Sequence, residues 1–392
     1  MRPSARVQAA IELLDSIIAA ARSGGSPADR LIADYFKLRR YAGSKDRRAV
    51  REMVYSAIRA CGPVPESGRA AMLRLAELDD TILPLFDGDG HGPAPVGAAE
   101  IAAVGGIAPD WLEQALAKSD IAGDEAAALL ERAPLDIRVN TLKSARHLID
   151  LPEAGEHLAA PNGLRFPSGT NVEQWDAWKQ GQIEVQDGGS QLACGAVAAR
   201  PGEAIVDLCA GAGGKTIGLA AAMENKGWLV AADIDRGRLS KLEPRARRSG
   251  TAIIEPILLD PGRELERLAD YRGKADAVLV DAPCSGTGTW RRNPEARWRL
   301  GDQRFEKLLE SQARLLGIAA QLVRPGGRLI YVTCSLLDEE GADQIDAFLR
   351  ANDRWSAAPL DLPAGRPRGK GTRLTPMHDG TDGFFIAQLT SA

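Results

Sequence analysis

The stretch from Ala204 to Lys215, Ala-Ile-Val-Asp-Leu-Cys-Ala-Gly-Ala-Gly-Gly-Lys, restricts the fold more than any other part of the chain. Ala204 to Leu208 is apolar apart from Asp207 and reads as a short buried strand. Gly211, Gly213 and Gly214 crowd into a turn, and Lys215 to Met223 reads as a helix. A strand, a glycine turn and a helix are how a doubly wound sheet offers backbone N–H groups to a ligand. Three kinds of loop compete. A phosphate-cradling loop would need a glycine where Cys209 stands, although Gly214-Lys215-Thr216 supplies its second half. A dinucleotide fingerprint would need a glycine at Thr216. An adenosine-ribose site needs a carboxylate at the end of the next strand. Trp228 to Ala232 is that strand, and Asp233 ends it, 20 residues after Gly213. The third reading fits best.

The pattern continues. Strands are expected near 204–208, 228–233, 252–258, 276–281, 327–333 and 384–389, with helices near 215–223, 236–248, 304–323 and 339–351. This alternation predicts a doubly wound α/β domain. Pro244 conflicts with an unbroken second helix. Upstream, residues 5 to 84 read as all-helical, with Val7, Ala10, Ile11, Leu14, Ile17 and Ile18 on one face. Ser26-Pro27 breaks the chain, and Ser44 is an N-cap candidate for a helix whose inner face carries Val50, Val54, Ile58 and Cys61. Between Arg30 and Arg59 nine Lys/Arg face three acids, either a solvated helix face or a patch for RNA phosphates. Phe86 to Gly97 is the clearest linker. Helices are expected over Pro109–Ser119 and Glu125–Arg132. An alternating stretch at Ile137–Lys143 then opens a small α/β insert, and Gln186–Gln191 leads into an Ala-rich helix.

Composition narrows the class. A chain of 392 residues with 44% hydrophobic and 26% charged residues is an ordinary soluble multidomain protein. A net charge of −4 excludes a globally basic nucleic-acid binder, so any such surface is local. Five cysteines without a CxxC pair suggest a reducing compartment. Four scattered histidines offer no zinc constellation. No run is long enough to span a membrane, and the N-terminus reads as an amphipathic helix rather than a signal peptide.

Two later strand ends carry the chemistry. Asp276–Asp281 is followed by Ala282-Pro283-Cys284-Ser285-Gly286, and Arg328–Thr333 by Cys334-Ser335. Both cysteines fall at the carboxyl edge where open α/β sheets bind ligands. A lone cysteine there is usually a small packed residue; two at matching positions are not. A thiol beside an adenosine-type ligand suits addition to C6 of cytosine, which makes C5 nucleophilic enough to take a methyl group. One cysteine attacks and a second group helps release it; the residues alone leave open which does which. Asp281 suits the amino or N3 edge of the base, and Lys215 would favour the thiolate.

These motifs resemble the Nop/Sun RNA cytosine-5 methyltransferases, in particular the bacterial RsmB-like ribosomal RNA group. The resemblance rests on Arg138–Lys143, Gln186-Asp187 with Ser190-Gln191, the 209–215 loop, and Asp233-Ile-Asp235 with Arg238-Leu239. It extends through Asp281–Gly286, Arg291–Pro294 with Trp298, Thr333–Ser335 and Thr381–Phe385. One departure is Gly211-Ala212, where the family usually has a pair containing proline. The resemblance implies that Cys334 attacks and Cys284 assists release, with Asp281 and Lys215 beside them. It also implies that Cys209, Ala210, Gly211, Ala212, Gly213, Gly214, Lys215, Asp233, Arg238, Asp260 and Asp281 line a site for S-adenosyl-L-methionine.

On this reading residues 1–88 form a NusB-like helical RNA-binding domain. Residues 99–190 form a connector with a small α/β RNA platform, and residues 191–392 a Rossmann-like methyltransferase domain. The expected protein is a cytoplasmic monomer that acts on RNA, without metal or membrane. The alternatives are a transfer RNA enzyme of the same chemistry and a catalytically silent assembly factor, with a nucleotide hydrolase more distant. The arginines at 291, 292, 297, 299 and 304 are expected to form an RNA-phosphate rim, and Trp290, Trp298 or Phe384 could stack on a base.

Overall fold

A computed structural model describes residues 1–392. The chain divides into two compact units, one of residues 1–131 with 290–301, the other of residues 132–289 with 302–392.

The helical unit is built on Pro3–Ser23, Ala28–Leu38, Ser44–Ala60 and Gly68–Ala76. Pro3 sits in the first turn of its helix, where a missing N–H costs nothing, and Gly24 closes it in a left-handed conformation. The predicted face of Val7, Ala10, Ile11, Leu14, Ile17 and Ile18 is buried, as are Val50, Val54, Ile58 and Cys61. Ser44 does not cap its helix: Gly43 holds the cap position and Ser44 is the first helical residue. Gly68 starts the fourth helix against the first, where a Cβ would stand 2.2 Å from the carbonyl oxygen of Ile11. Only glycine permits that approach.

Residues 290–301 belong to this unit, and they correct the expected phosphate rim. Arg291 and Arg297 are buried, not presented to solvent. Arg297 donates 2.6 Å hydrogen bonds to the carbonyls of Ile58 and Cys61, the last turn of the Ser44–Ala60 helix and its cap. It thereby satisfies helix-end carbonyls that would otherwise be orphaned. Arg299 donates to the carbonyls of Gly25 and Ser26, and Trp298 Nε1 to that of Gly62. Trp290 and Trp298 are core residues.

The sheet unit carries two sheets. Strands β1 (Leu135–Val139), β2 (Glu156–His157), β3 (Gly163–Phe166) and β4 (Ile183–Val185) form an antiparallel sheet in the order β2-β3-β1-β4. The larger sheet contains β5 (Ala204–Asp207), β6 (Trp228–Asp233), β7 (Ile254–Leu258), β8 (Ala275–Asp281) and β9 (Val323–Thr333). Beyond these come β10 (Trp355–Ala358), β11 (Arg366–Arg368), β12 (Gly371–Leu374) and β13 (Phe384–Ser391). Its order is β11-β12-β13-β9-β8-β5-β6-β7, with β10 also on β13. β5 to β9 pair in parallel and β13 returns antiparallel to β9. The Rossmann-like class is therefore as expected. Both faces of the sheet are covered by apolar clusters, so the central strands are buried throughout, as parallel strands must be. Pro256 is tolerated because β7 is an edge strand.

Pro244 resolves by splitting the predicted helix. Arg236–Leu239 and Leu242–Ser249 are separate, and Pro244 falls in the first turn of the second, where no N–H is required.

If Arg297 is a structural cap, Arg297→Ala should lower the unfolding free energy by about 2–4 kcal/mol, since buried carbonyls lose their donors. Urea unfolding followed by circular dichroism measures this. A phosphate-binding Arg297 would instead leave the midpoint unchanged and reduce the salt dependence of RNA binding.

Candidate active site

β9, β8, β5 and β6 stand side by side and end on one rim. Asp281 at the end of β8 is in register with Val332 of β9, so the two following loops start level. They bring Cys284 and Cys334 into contact, with their sulfurs 3.3 Å apart. Neither cysteine is in a disulfide, and both are half-buried. The hydrogen bond to Cys334, reinforced by burial, holds the Cys284 thiol well above the usual thiol range. The protonated form of Cys284 is thereby favoured beside the Cys334 sulfur. Cys209 lies in the neighbouring loop. Burial, with Asp207, Asp281 and Asp233 around it, pushes its thiol up as well.

Lys215 is the second residue of the helix Gly214–Ala222. Its Nζ donates to Asp281 Oδ2 at 2.6 Å and lies over the Phe384 ring at 5.6 Å. Burial would strip its proton, but the adjacent Asp281 carboxylate outweighs that, and Cys334 adds to the attraction; the ammonium is held above its ordinary value. The Lys215 charge is thereby favoured on the rim that carries Cys334. Phe384 is buried against Lys215 and against Gly189, where a Cβ would come within 2.7 Å of its ring; packing, not base stacking, is what the structure shows for it.

The glycine loop closes over β5 and β6. Gly211 and Gly213 both have positive φ, 56° and 80°. The Gly211 N–H donates to Asp233 Oδ2 at 2.7 Å, and the Asp235 N–H to Asp233 Oδ1 at 2.7 Å. Asp233 therefore braces the glycine loop through Oδ2 and its own following turn through Oδ1, and each oxygen keeps a further lone pair. Ala210 is buried, and Ala212 presents its carbonyl to Arg245. Arg238 lies over Gly211, close enough that a Cβ there would meet its guanidinium at 2.4 Å. Asp260 is exposed two residues past β7, beside the point where the Leu259 N–H bonds the Asp233 carbonyl.

The cradle fits an adenosine-type cofactor. Gly214 has no positive φ to explain it, and a Cβ there would have Arg245 at 3.9 Å as its sole neighbour. Open space above bare backbone at a helix N-terminus is what such a ligand requires. No cluster of three or more His, Cys, Asp or Glu is arranged for a metal, and no helix is long and apolar enough to cross a membrane.

Several residues quoted in the sequence without a role gain one from the structure. Arg138 is buried beneath the loop, donating to the Gly214 carbonyl at 3.1 Å and to Gln186. Asp187 caps Gly188–Gly195 through the Gly189 and Ser190 N–H groups and also accepts from the Asp382 N–H. Asp207 accepts from the Thr216 hydroxyl at 2.7 Å. Its charge type was visible in the sequence; its partner, nine residues on, was not.

A parallel sheet with this cradle and carboxylate defines an S-adenosylmethionine-dependent methyltransferase. Solved structures agree. The PH0851 protein is 26% identical, with 99% of both chains covered and a TM-score of 0.75. A methyltransferase homologue from Pyrococcus horikoshii is 25% identical over 72% of this chain and 99% of its own, at a TM-score of 0.61. Residues 195–390 match the family described as 16S rRNA methyltransferase RsmB/F, and the chain belongs to that family. Among curated relatives, the probable ribosomal RNA small subunit methyltransferase B of Synechocystis sp. is 35% identical over 306 residues, covering 72% of this chain and 67% of that protein. The ribosomal RNA small subunit methyltransferase B of Xanthomonas campestris is 35% identical over 295 residues, covering 72% and 66%. The chain thus spans about two thirds of the length of these two relatives.

Burial raises the Asp207 carboxyl to about 7, against a hydrogen bond from Thr216 that lowers it. Its protonated form is favoured in the folded state. The resulting stabilisation is complete below about pH 4 and is lost as pH rises through about 7. Asp207→Asn should remove that decline. The difference in urea midpoint between variant and wild type should move toward the variant from about pH 5 to about pH 8.

Proposed function

We propose that this protein methylates C5 of a cytosine in RNA, with small-subunit ribosomal RNA as the substrate, through a covalent bond from Cys334 to C6. The observation that carries the reading is the pair of sulfurs 3.3 Å apart on the rim that also holds Lys215 and Asp281. A methyltransferase acting on an oxygen or exocyclic nitrogen has no use for two thiols in contact.

Each residue has a part. Lys215 stabilises the Cys334 thiolate by its charge. The thiolate adds to C6, and the electron pair of the C5–C6 bond moves toward C5. Asp281 holds the amino or N3 edge of the ring. Asp233, Arg238, Asp260 and the 209–215 backbone would hold S-adenosylmethionine, which supplies an electrophilic methyl group when bound. Once C5 carries the methyl, a base takes the C5 proton, the C5–C6 double bond re-forms, and the Cys334 sulfur is expelled. Cys284, which keeps its proton beside that sulfur, assists the release.

The reading extends to the rest of the chain. Residues 1–88 are proposed as a NusB-like RNA-binding domain and residues 99–190 as a connector with an RNA platform, in a monomer acting in the cytoplasm. Within the basic stretch of the helical unit, Arg51 pairs with Asp29, Arg39 with Glu12, and Lys37 with Asp34. Arg40, Lys45 and Arg48 remain exposed without an ion pair and are the phosphate contacts of choice.

Cys334→Ala should reduce methylation of a small-subunit ribosomal RNA transcript by at least about 10³-fold. Cys284→Ala should leave the RNA covalently attached, visible as a slow band on a denaturing gel. Bisulfite sequencing of the product locates the base. Full activity of Cys334→Ala would end the reading.

A further inference from the structure

Cys284 and Cys334 sit on different loops, and loops alone do not hold two sulfurs at a fixed separation. The chain solves this with a buried acid. Glu340 closes the short turn Asp338–Glu340 after β9, and its residue is fully buried. Its Oε1 accepts from the Ser285 N–H at 2.8 Å and from Gln312 Nε2 at 2.9 Å, and its other oxygen accepts from the Ser285 hydroxyl. Gln312 Nε2 donates a second bond, 3.0 Å, to the Pro283 carbonyl. The residues on both sides of Cys284 are thus tied to one carboxylate and one amide.

The same network reaches the other cysteine. The Ser285 hydroxyl lies 3.1 Å from Ser335 Oγ, and Thr287 Oγ1 is 3.1 Å from the same atom. Ser335 follows Cys334 directly, and Thr287 Oγ1 also accepts the Leu336 N–H. Below, the Tyr331 hydroxyl donates to the Glu340 carbonyl, fixing the turn to β9 itself. A carboxylate buried this completely is held only if its oxygens are occupied by donors. Here every donor to the carboxylate lies on the Cys284 loop or on the helix Asp302–Leu322, which supplies Gln312.

We infer that Glu340 is a positioning residue: it locks the Cys284 loop to the Cys334 loop and so sets the reach of the releasing thiol to the attacked one. The inference rests on the roles proposed above for the two cysteines. Its carboxylate also adds to the forces that keep the Cys284 proton in place. Loss of the lock leaves Cys334, carried by β9, able to attack. It lets Cys284 wander, and displacements of about 1 Å cost roughly 100-fold in a positioned reaction.

The test compares Glu340→Ala, Glu340→Gln, Ser285→Ala and Cys284→Ala in full-length protein. Each is given S-adenosylmethionine and a small-subunit ribosomal RNA transcript, and adduct is followed on denaturing gels with thermal unfolding as a control. Glu340→Ala is expected to form adduct at the wild-type rate but release it roughly 10- to 100-fold more slowly. Glu340→Gln, which keeps an acceptor for the Ser285 N–H, should restore most of the release. Ser285→Ala removes a single hydroxyl and should accumulate adduct to a lesser degree; it carries the test if Glu340→Ala does not fold. If Cys284→Ala traps RNA while folded Glu340→Ala, or Ser285→Ala in its stead, releases at the wild-type rate, the positioning role is overturned and the cysteine assignment stands. If Cys284→Ala traps nothing, the cysteine assignment fails and this inference fails with it.

Discussion

Parallel pairing of β8 and β9 is the constraint on which the active site depends. Neighbouring strands stand about 4.8 Å apart, and the register from Ala277 with Arg328 to Asp281 with Val332 runs unbroken to the rim. Two loops leaving adjacent strands at one level can bring small side chains into contact without a long excursion. The sulfurs of Cys284 and Cys334 meet for that reason. Antiparallel strands would have sent one of the two loops to the opposite edge.

Electrostatics in this corner is organised by burial. Asp207, Asp233 and Asp281 crowd three carboxyl groups around the ends of β5, β6 and β8, and each has a different solution. Asp233 is occupied by backbone N–H groups, Asp281 by the Lys215 ammonium, and Asp207 by a hydroxyl alone. The least compensated is the one whose carboxyl is pushed highest, to about 7. The result is a single cation beside two thiols, with the surrounding acids neutralised or engaged.

The elements that repeat with a clear period were legible in the sequence. β6 matches its expected span, and β5, β7 and β8 begin or end within two residues of theirs. Glycines and prolines marked the turns, and the placement of Cys284 and Cys334 past strand ends followed from that alone. Residues whose meaning depends on a distant partner were not legible. Arg297 looked like a solvent-facing charge because nothing in its neighbourhood showed the carbonyls of Ile58 and Cys61 that it would meet. Glu340 carried no reading in the sequence; its partners in the fold are Gln312 and Ser285, 28 and 55 residues away. Ser44 had the right chemistry for a cap but entered the helix one residue early.

Residues 290–301 give the helical unit a composition that is discontinuous along the chain. Trp298 and Arg297 are part of its interior although they follow Cys284 by only fourteen and thirteen residues. A chain cut at residue 131 would therefore not release a clean catalytic fragment. It would leave Trp298 and the Arg297 guanidinium with no interior to enter, a surface prone to self-association. Any shortened version meant for expression has to replace that insert as well as remove the N-terminus.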